Sequence, residues 1–262
     1  MRFKNNIETL LVVSFMDLKL RYQSTFLGFF WSFFKPFLQF LVYYTIFGKL
    51  LHVGSGAEYA LKLFFGVIVW AWFAEGTTLG MNAFIGKRSI ITKIKTNRLL
   101  PPLAAFLTPT INYILNFFIF ITVFLVLMPL SGMHLNIGNL LIFIYSLVCI
   151  SILIISTNLV LASANVFFRD LQPIWELVLT YGVFLTPVIY QIPVPAKYEV
   201  LYYSLNLLAF PLQNLKSVFF TTQANLFSNL SVVFFYNFML LFILFLGLFI
   251  HHKFSRYVAD YL

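Results

Sequence analysis

The sequence predicts an all-α integral membrane protein with six transmembrane helices, an N-terminal amphipathic interface helix, and a re-entrant or external helical hairpin before the last span. Two observations support this class. Of the 262 residues, 61% are hydrophobic and 10% are charged, whereas a soluble domain has about 25% charged residues. Long apolar runs alternate with short segments that carry Lys and Arg, the pattern that orients a membrane protein. The formal charge of +9 is therefore attributed to orientation, and we expect no nucleic-acid partner.

We treat 1–262 as a single transmembrane domain. Its parts are an amphipathic interface segment at 1–27, spans one to five at 28–190, an external hairpin at 191–229, and span six with a cytosolic tail at 230–262. Apolar residues recur at helical spacing in the interface segment, which predicts a helix lying on the membrane surface. They are Ile7, Leu11, Phe15, Leu18 and Tyr22. A plain helical extension of span one is the alternative.

Six apolar runs have about the length that a bilayer of about 30 Å requires. They lie at about 28–51, 61–84, 103–128, 139–164, 174–190 and 230–250. Between them we predict a glycine-containing turn at 52–59, a break at Pro101 and Pro102, and a tight cytosolic loop at 165–173.

Residues 200–220 are apolar enough to suggest a seventh span, but charge placement argues against it. With six spans, twelve of the 17 Lys and Arg residues lie in cytosolic segments and four lie outside, with Lys35 inside span one. A seventh span would move Lys253 and Arg256 outside. We therefore predict both termini in the cytoplasm and a hairpin at 191–229.

Several spans carry polar residues or small residues with a predicted role. Glu75 in span two is a candidate functional residue, because an ionisable side chain inside a membrane span costs free energy. The alternative is that Glu75 snorkels or pairs near the cytosolic end of the span. Gly76 and Gly80 would let another helix approach closely, and Asn112 and Asn116 would form interhelical hydrogen bonds. A protein-facing polar stripe is also predicted in span four at Ser156, Thr157 and Asn158.

The sequence carries no recognisable motif for enzymatic chemistry. No DxD, HExxH or GxSxG motif occurs, and the four His residues lie in loops or at a span end. A Walker A motif fails as well, because five residues instead of four separate Gly80 from Gly86 and Arg88 replaces the required Ser or Thr. We therefore predict a chain that is not an enzyme and that binds no metal or cofactor itself. A channel or an ion-coupled transporter is poorly supported, since only Glu75 and Glu176 are candidate intramembrane acids.

Span one carries an aromatic stripe on one helix face. Its members are spaced three or four residues apart: Phe26, Phe30, Phe33, Phe37, Phe40, Tyr44 and Phe47. Flat aromatic faces can bind the apolar C–H faces of sugars, so the stripe is a candidate substrate channel. Trp70 and Trp72 lie too deep in span two for an interfacial belt and are added to this candidate set. The alternative is that the stripe contacts lipid or another helix.

The segment 86–98 is the most basic part of the chain and is predicted to be cytosolic. Its charged residues are Lys87, Arg88, Lys93, Lys95 and Arg98.

Taken in order, these segments resemble the ABC-2 type permeases that export polysaccharides, the O-antigen and teichoic-acid transporters of bacteria. The matching residues are Asp17, Leu18, Lys19, Arg21, Tyr22, Leu27, Gly28, Trp31 and Pro36, then Phe65, Gly66 and Trp70, then Asn165 with the FFRD of 167–170, and the TPVIY of 186–190. Asn206 with a displaced Pro211 partly matches the family's NPL-like element. The resemblance covers nearly the whole chain.

The resemblance implies a homodimer in the bacterial inner membrane that forms a pore and docks on two cytosolic ATPase subunits, which bind ATP and Mg²⁺. The substrate would be a lipid-linked polysaccharide of the O-antigen type. Teichoic-acid, drug and lipid exporters are the alternatives, together with a membrane enzyme of polysaccharide assembly. The hairpin would form an outer gate.

Residue roles follow from the same resemblance. Coupling to the ATPase is assigned to Asp17, Lys19, Arg21, Lys87, Arg88, Lys93 and Lys95. Gating or structural roles are assigned to Arg169, Asp170, Glu75, Pro187 and Tyr190.

Overall fold

The structure, a computed structural model, describes residues 28–88, 98–131, 137–220 and 226–255, together with Val12, Ser14, Met16 and Lys19. Every regular element within these residues is helical, as the composition predicts. The α-helices are α1 (Trp31–Tyr43), α2 (Gly56–Met81), α3 (Leu100–Ser131), α4 (Leu140–Asn165), α5 (Leu171–Leu185), α6 (Glu199–Leu205), α7 (Ala209–Phe219) and α8 (Leu230–Phe254).

Four of these helices, α2, α3, α4 and α8, are long and apolar enough to cross a membrane. The helix of predicted span one is α1, which continues directly into a π-helical segment at Tyr44–Leu50. Helix α5, in predicted span five, has 15 residues. The all-α class is confirmed, and the count of six spans stays a prediction because it depends on these two shorter elements.

Two predicted boundaries are wrong because local interactions extend the helices. Helix α2 begins at Gly56, inside the segment predicted to be a turn, and its first turns contain an ion pair of 2.7 Å between Glu58 and Lys62. A carboxylate near a helix N-terminus and an i,i+4 pair both stabilise a helix start. Pro101 and Pro102 do not break the chain but lie in the first turn of α3, where a missing N–H costs nothing.

The fifth predicted span is displaced toward its N-terminus. Helix α5 ends at Leu185 instead of Tyr190 because Thr186 is extended, with φ −99° and ψ 143°, immediately before Pro187. Proline disfavours the helical conformation in the residue that precedes it. The carbonyl groups at this end of α5 must therefore find partners elsewhere in the fold.

The N-terminal segment touches the start of α3. Ser14 is buried and its hydroxyl donates a hydrogen bond of 3.3 Å to the carbonyl of Ala104, while Val12 and Met16 are exposed. Ser14 lies three or four residues from Leu11 and Leu18 and so belongs to the predicted apolar face. The five residues that define that face lie outside the described residues.

The centre of the core is an aromatic cluster around Phe219 of α7. Its ring lies 5.2 to 5.8 Å from rings of α2, α3 and α4. These neighbours are Phe65, Phe120, Phe124 and Phe143. Ring pairs at such separations are attractive beyond their buried area. Helix α7 is thus bound to three long helices by one side chain.

Small residues fix two helix crossings. A Cβ atom on Gly76 would lie 2.9 Å from Ile154 Cγ2, and one on Gly80 would overlap the side chain of Asn158. The close approach predicted for this glycine pair is therefore confirmed between α2 and α4. Gly247 of α8 permits a second crossing, since its Cβ would lie 2.8 Å from the carbonyl oxygen of Ser156.

The segment after α5 folds into two short helices, α6 and α7, and neither is long enough to span a bilayer. Ten of the 11 residues of α7 are buried, including Asn214 and Lys216. Polar residues and an interrupted backbone at membrane depth require protein cover, which the long helices supply to α7. The external placement of this hairpin stays a prediction.

Candidate functional site

A cavity of about 310 Å³ lies between α1, α2 and α3. It combines polar and charged side chains with aromatic ones. The polar and charged residues are Ser32, Lys35, Gln39, Glu75, Thr78, Asn112 and Asn116, and the aromatic residues are Trp31, Trp72 and Tyr113. The predicted intramembrane acid therefore faces a cavity between helices.

Hydrogen bonds between helices organise the polar side of this cavity. The Asn112 side chain donates a bond of 3.0 Å to Glu75 Oε1. The Asn116 side chain donates bonds of 3.1 Å to the carbonyl of Ser32 and 2.8 Å to that of Asn112. These contacts join α3 to α2 and to the start of α1, which confirms the interhelical role predicted for both asparagines.

Stacked aromatic rings form another part of the wall. The rings of Trp72 and Tyr113 stack with centroids 4.3 Å apart, and Trp72 Nε1 donates a bond of 3.0 Å to Thr110 Oγ1. Aromatic faces beside carboxylate and amide groups suit a ligand that has both apolar C–H faces and hydroxyl groups, as sugars do.

We expect Glu75 and Asn112 to be energetically coupled. In a double-mutant cycle of E75A and N112A, the coupling energy should be about 1 kcal/mol, a usual size for a hydrogen bond between membrane helices that involves a charged group. Unfolding of the purified chain in mixed micelles measures it. Thr78 is the matched control because its hydroxyl donates to the carbonyl of Ala74, within the same helix. Additivity of E75A and N112A, as expected for E75A and T78A, would contradict the coupling.

The aromatic stripe of span one forms a ladder of rings along α1. Successive centroids from Phe30 through Phe33, Phe37 and Phe40 to Tyr44 lie 5.4 to 6.1 Å apart. The rings from Phe33 onward, with Phe47, are half-buried against the core, and Phe30 is exposed. The stripe thus packs on the chain's own helices and leaves part of each ring accessible. Its role in the substrate channel stays a prediction.

Trp70 and Trp72 point to different cavities, because residues two apart lie on opposite sides of a helix. Trp72 lines the polar cavity, whereas Trp70 lines an apolar cavity of about 660 Å³ bounded by α2, α4, α5 and α6. Trp175 and Tyr202 also line this second cavity. The structure does not bring the two tryptophans together into one site.

The residues predicted to couple to the ATPase are only partly described. Lys19 and Arg88 are exposed, and Lys87 is half-buried at the end of a short 3-10 helix, Ile85–Lys87. Asp17, Arg21, Lys93 and Lys95 lie outside the described residues. Arg98 donates a hydrogen bond to the carbonyl of Ser255, so the start of α3 and the end of α8 are adjacent.

Arg169 and Asp170 are both exposed in the turn between α4 and α5. Among the described residues neither side chain forms a hydrogen bond or an ion pair. Pro187 is buried, and the Tyr190 hydroxyl donates a bond of 2.9 Å to the carbonyl of Phe184. The gating roles assigned to these residues stay predictions.

Two residues attach the hairpin to the end of α5 and to the segment after it; sequence reasoning noted Asn206 only for its resemblance to a family element and gave Lys216 no role. The Asn206 side chain donates to the carbonyl of Leu185 at 2.9 Å and accepts from the backbone N–H of Ala209 at 3.2 Å. Lys216 Nζ donates to the carbonyls of Pro187 and Val188 at 2.6 and 3.1 Å. Their signal in the sequence was polarity within an apolar segment, which gave no indication of their partners.

The known proteins that this chain resembles are membrane transport proteins. A profile of the ABC-2 type transporter family matches residues 8–220, most of the chain. The chain is 31% identical over 174 residues to the O-antigen export system permease protein RfbA of Myxococcus xanthus, covering 66% of this chain and 65% of the relative. Two proteins of the same description from Klebsiella pneumoniae are 28% and 27% identical over 187 residues, each covering 70% of this chain and 69% of the relative.

The alignment spans 65% of the Myxococcus relative, just under two thirds of its length, and 69% of each Klebsiella relative, just over two thirds. The family profile includes α1 to α7 and therefore both cavities and the hairpin. The chain belongs to the ABC-2 type transporter family of membrane proteins.

Proposed function

We propose that this chain is the transmembrane subunit of an ATP-driven exporter that moves a lipid-linked polysaccharide of the O-antigen type across the bacterial inner membrane. The observation that carries this proposal is the similarity to O-antigen export permeases over about two thirds of the chain. The aromatic ladder of α1 is consistent with a substrate that has repeating apolar sugar faces.

In this proposal two copies form the pore, and each docks on a separate cytosolic ATPase subunit that binds ATP and Mg²⁺. The sequence supports a separate ATPase because it contains no Walker A motif. Docking would involve the N-terminal segment and the basic segment 86–98, which the positive-inside rule places in the cytosol together with both termini. The hairpin of α6 and α7 would then lie on the outer side and act as a gate.

Transport by inverted membrane vesicles tests this function. Vesicles that contain the chain and its ATPase should move a radiolabelled lipid-linked O-antigen glycan into the lumen when ATP is added, and an ATPase variant without its Walker A lysine should not. Movement of a teichoic-acid type polymer or of a drug alone would contradict the substrate class. Equal movement without the ATPase would contradict the mechanism.

The same assay tests the ladder. Replacing Phe33, Phe37, Phe40 and Tyr44 with Leu keeps the surface apolar but removes the flat rings, so we expect glycan export to fall at least about tenfold, as the loss of several stacking contacts implies. The substitutions L38F and L41F on the exposed face of α1 provide a matched control for altered packing. Unchanged export by the quadruple variant would assign the stripe to packing alone.

A further inference from the structure

A third cavity, of about 430 Å³, lies between the start of α2, the segment after Pro187, and α7. Its lining is more polar than that of the apolar cavity beside Trp70. The charged and hydroxyl-bearing residues are Ser55, Glu58, Tyr59, Lys62, Tyr190 and Lys216. When both lysines are protonated, this lining has one excess positive charge.

Lys216 is the unusual member of this lining, because its amino group is buried. It is 5% exposed, and Nζ donates to the carbonyls of Pro187 and Val188. Two acceptors leave one N–H of the ammonium group available. No carboxylate among the described residues lies within ion-pair distance of Nζ. A buried charge is stable only when it is paired, and neutral carbonyl oxygens satisfy its hydrogen bonds without supplying a negative charge.

The neighbouring groups do not supply that charge. The Glu58 carboxylate is 2.7 Å from the Lys62 ammonium, which also lies 5.5 Å above the ring of Phe220. Desolvation by burial and, to a smaller extent, the like charge of Lys62 lower the pKa of Lys216 to about 7. The hydroxyl of Tyr59 is buried and has no hydrogen-bond partner among the described residues. The cavity thus has a buried lysine amino group and a buried hydroxyl group, each of which can still donate a hydrogen bond.

We propose that this cavity binds an oxyanion, a phosphate or a carboxylate group, through Lys216 Nζ and the Tyr59 hydroxyl, with Lys62 adding favourable charge. An oxyanion supplies the missing negative charge and accepts both donors. Gly66 leaves room for the Lys216 side chain, since a Cβ atom at position 66 would lie 3.2 Å from Lys216 Nζ. Binding is a property of the chain alone and does not depend on the proposed export function.

Thermal unfolding of the purified full chain in detergent tests the site. At constant ionic strength, replacing sodium chloride with sodium phosphate should raise the Tm saturably, because the anion binds the folded state. The variant K216M should lose this saturable rise, and K62M should weaken the apparent Kd about threefold to tenfold. The variant K197M is the matched control because Lys197 is an exposed lysine on the hairpin, and it should behave as the wild type.

Further arms separate the sources of the anion. A rise in Tm with glucuronate but not with glycerol 3-phosphate would identify an acidic sugar as the ligand. A rise with glycerol 3-phosphate but not with glucuronate would identify a lipid phosphate. A rise with inorganic phosphate alone would identify the free ion. Y59F provides a variant that retains the carbonyl bonds of Lys216, and it should weaken the apparent Kd about tenfold, as the loss of one bond to a charged ligand implies. An equal rise in wild type, K216M and Y59F would reflect a general salt effect and would overturn the proposal.

Discussion

Replacing Gly66 with valine is expected to destabilise the folded chain by at least about 3 kcal/mol, the upper part of the range for overpacked cores. A Cβ at this position would lie 2.7 Å from the carbonyl oxygen of Val188 and 3.2 Å from its Cα. Both contacts are to backbone atoms, which cannot rotate away as a side chain can. The clash would push the segment after Pro187 off α2 and weaken its bonds with Lys216.

The midpoint of SDS-induced unfolding in mixed micelles, followed by circular dichroism, measures this effect. The control is G86V, because a Cβ on Gly86 meets no atom within 4 Å. Valine has a better helix propensity than glycine, so a loss of stability in G66V must come from the contacts with Val188 and Lys216. Similar midpoints for the two variants would show that the close approach contributes little.

Replacing Asn206 with alanine is expected to destabilise the chain by about 2 to 3 kcal/mol, from the loss of several hydrogen bonds of about 1 kcal/mol each. Its side-chain amide donates to the carbonyl of Leu185 and to Thr186 Oγ1, at 2.9 and 3.1 Å. Its side-chain oxygen accepts from the N–H of Ala209 at 3.2 Å, at the start of α7. One side chain therefore supplies a partner to the end of α5 and to the beginning of α7.

The variant N206D separates these two contributions. Aspartate keeps an acceptor for the N–H of Ala209 but places a second carboxylate oxygen against the carbonyl of Leu185, so it should be at least as unstable as N206A. The control is S204A, since the buried hydroxyl of Ser204 has no hydrogen-bond partner among the described residues. Wild-type stability in N206D, measured by the same SDS titration, would mean that the donor bonds to α5 contribute nothing.

Much of the fold could be predicted because its signals are local. Apolar runs predicted α2, α3, α4 and α8 to within a few residues, except for the earlier start of α2. Residues four apart on a helix share a face whatever the helix packs on, so Asn112 with Asn116, and Gly76 with Gly80, indicated contacts between helices before the partner helices were known.

The candidate sites were less predictable, since a cavity is defined by residues from several helices. The sequence grouped Trp70 and Trp72 with the aromatic stripe, but the two residues face opposite sides of α2 and line separate cavities. Glu75 was identified as a functional candidate because a charged side chain inside a membrane span costs free energy. Tyr113 and Trp31 line the same cavity, but aromatic residues carry no such cost and were not singled out for it.

By itself the sequence determined the membrane class, the four long helices and the helix faces that carry polar or small residues, because hydropathy and helical periodicity act over one or two turns. Only the tertiary structure decided that α7 is buried among three helices, that Asn206 binds the end of α5 and that Lys216 binds the segment directly after it. Pro187 leaves carbonyl groups there without helical partners, and two of the residues that satisfy them, Asn206 and Lys216, lie 21 to 29 positions further along the chain. No local pattern encodes a contact over that separation; it forms because buried polar groups must be paired once the helices pack together.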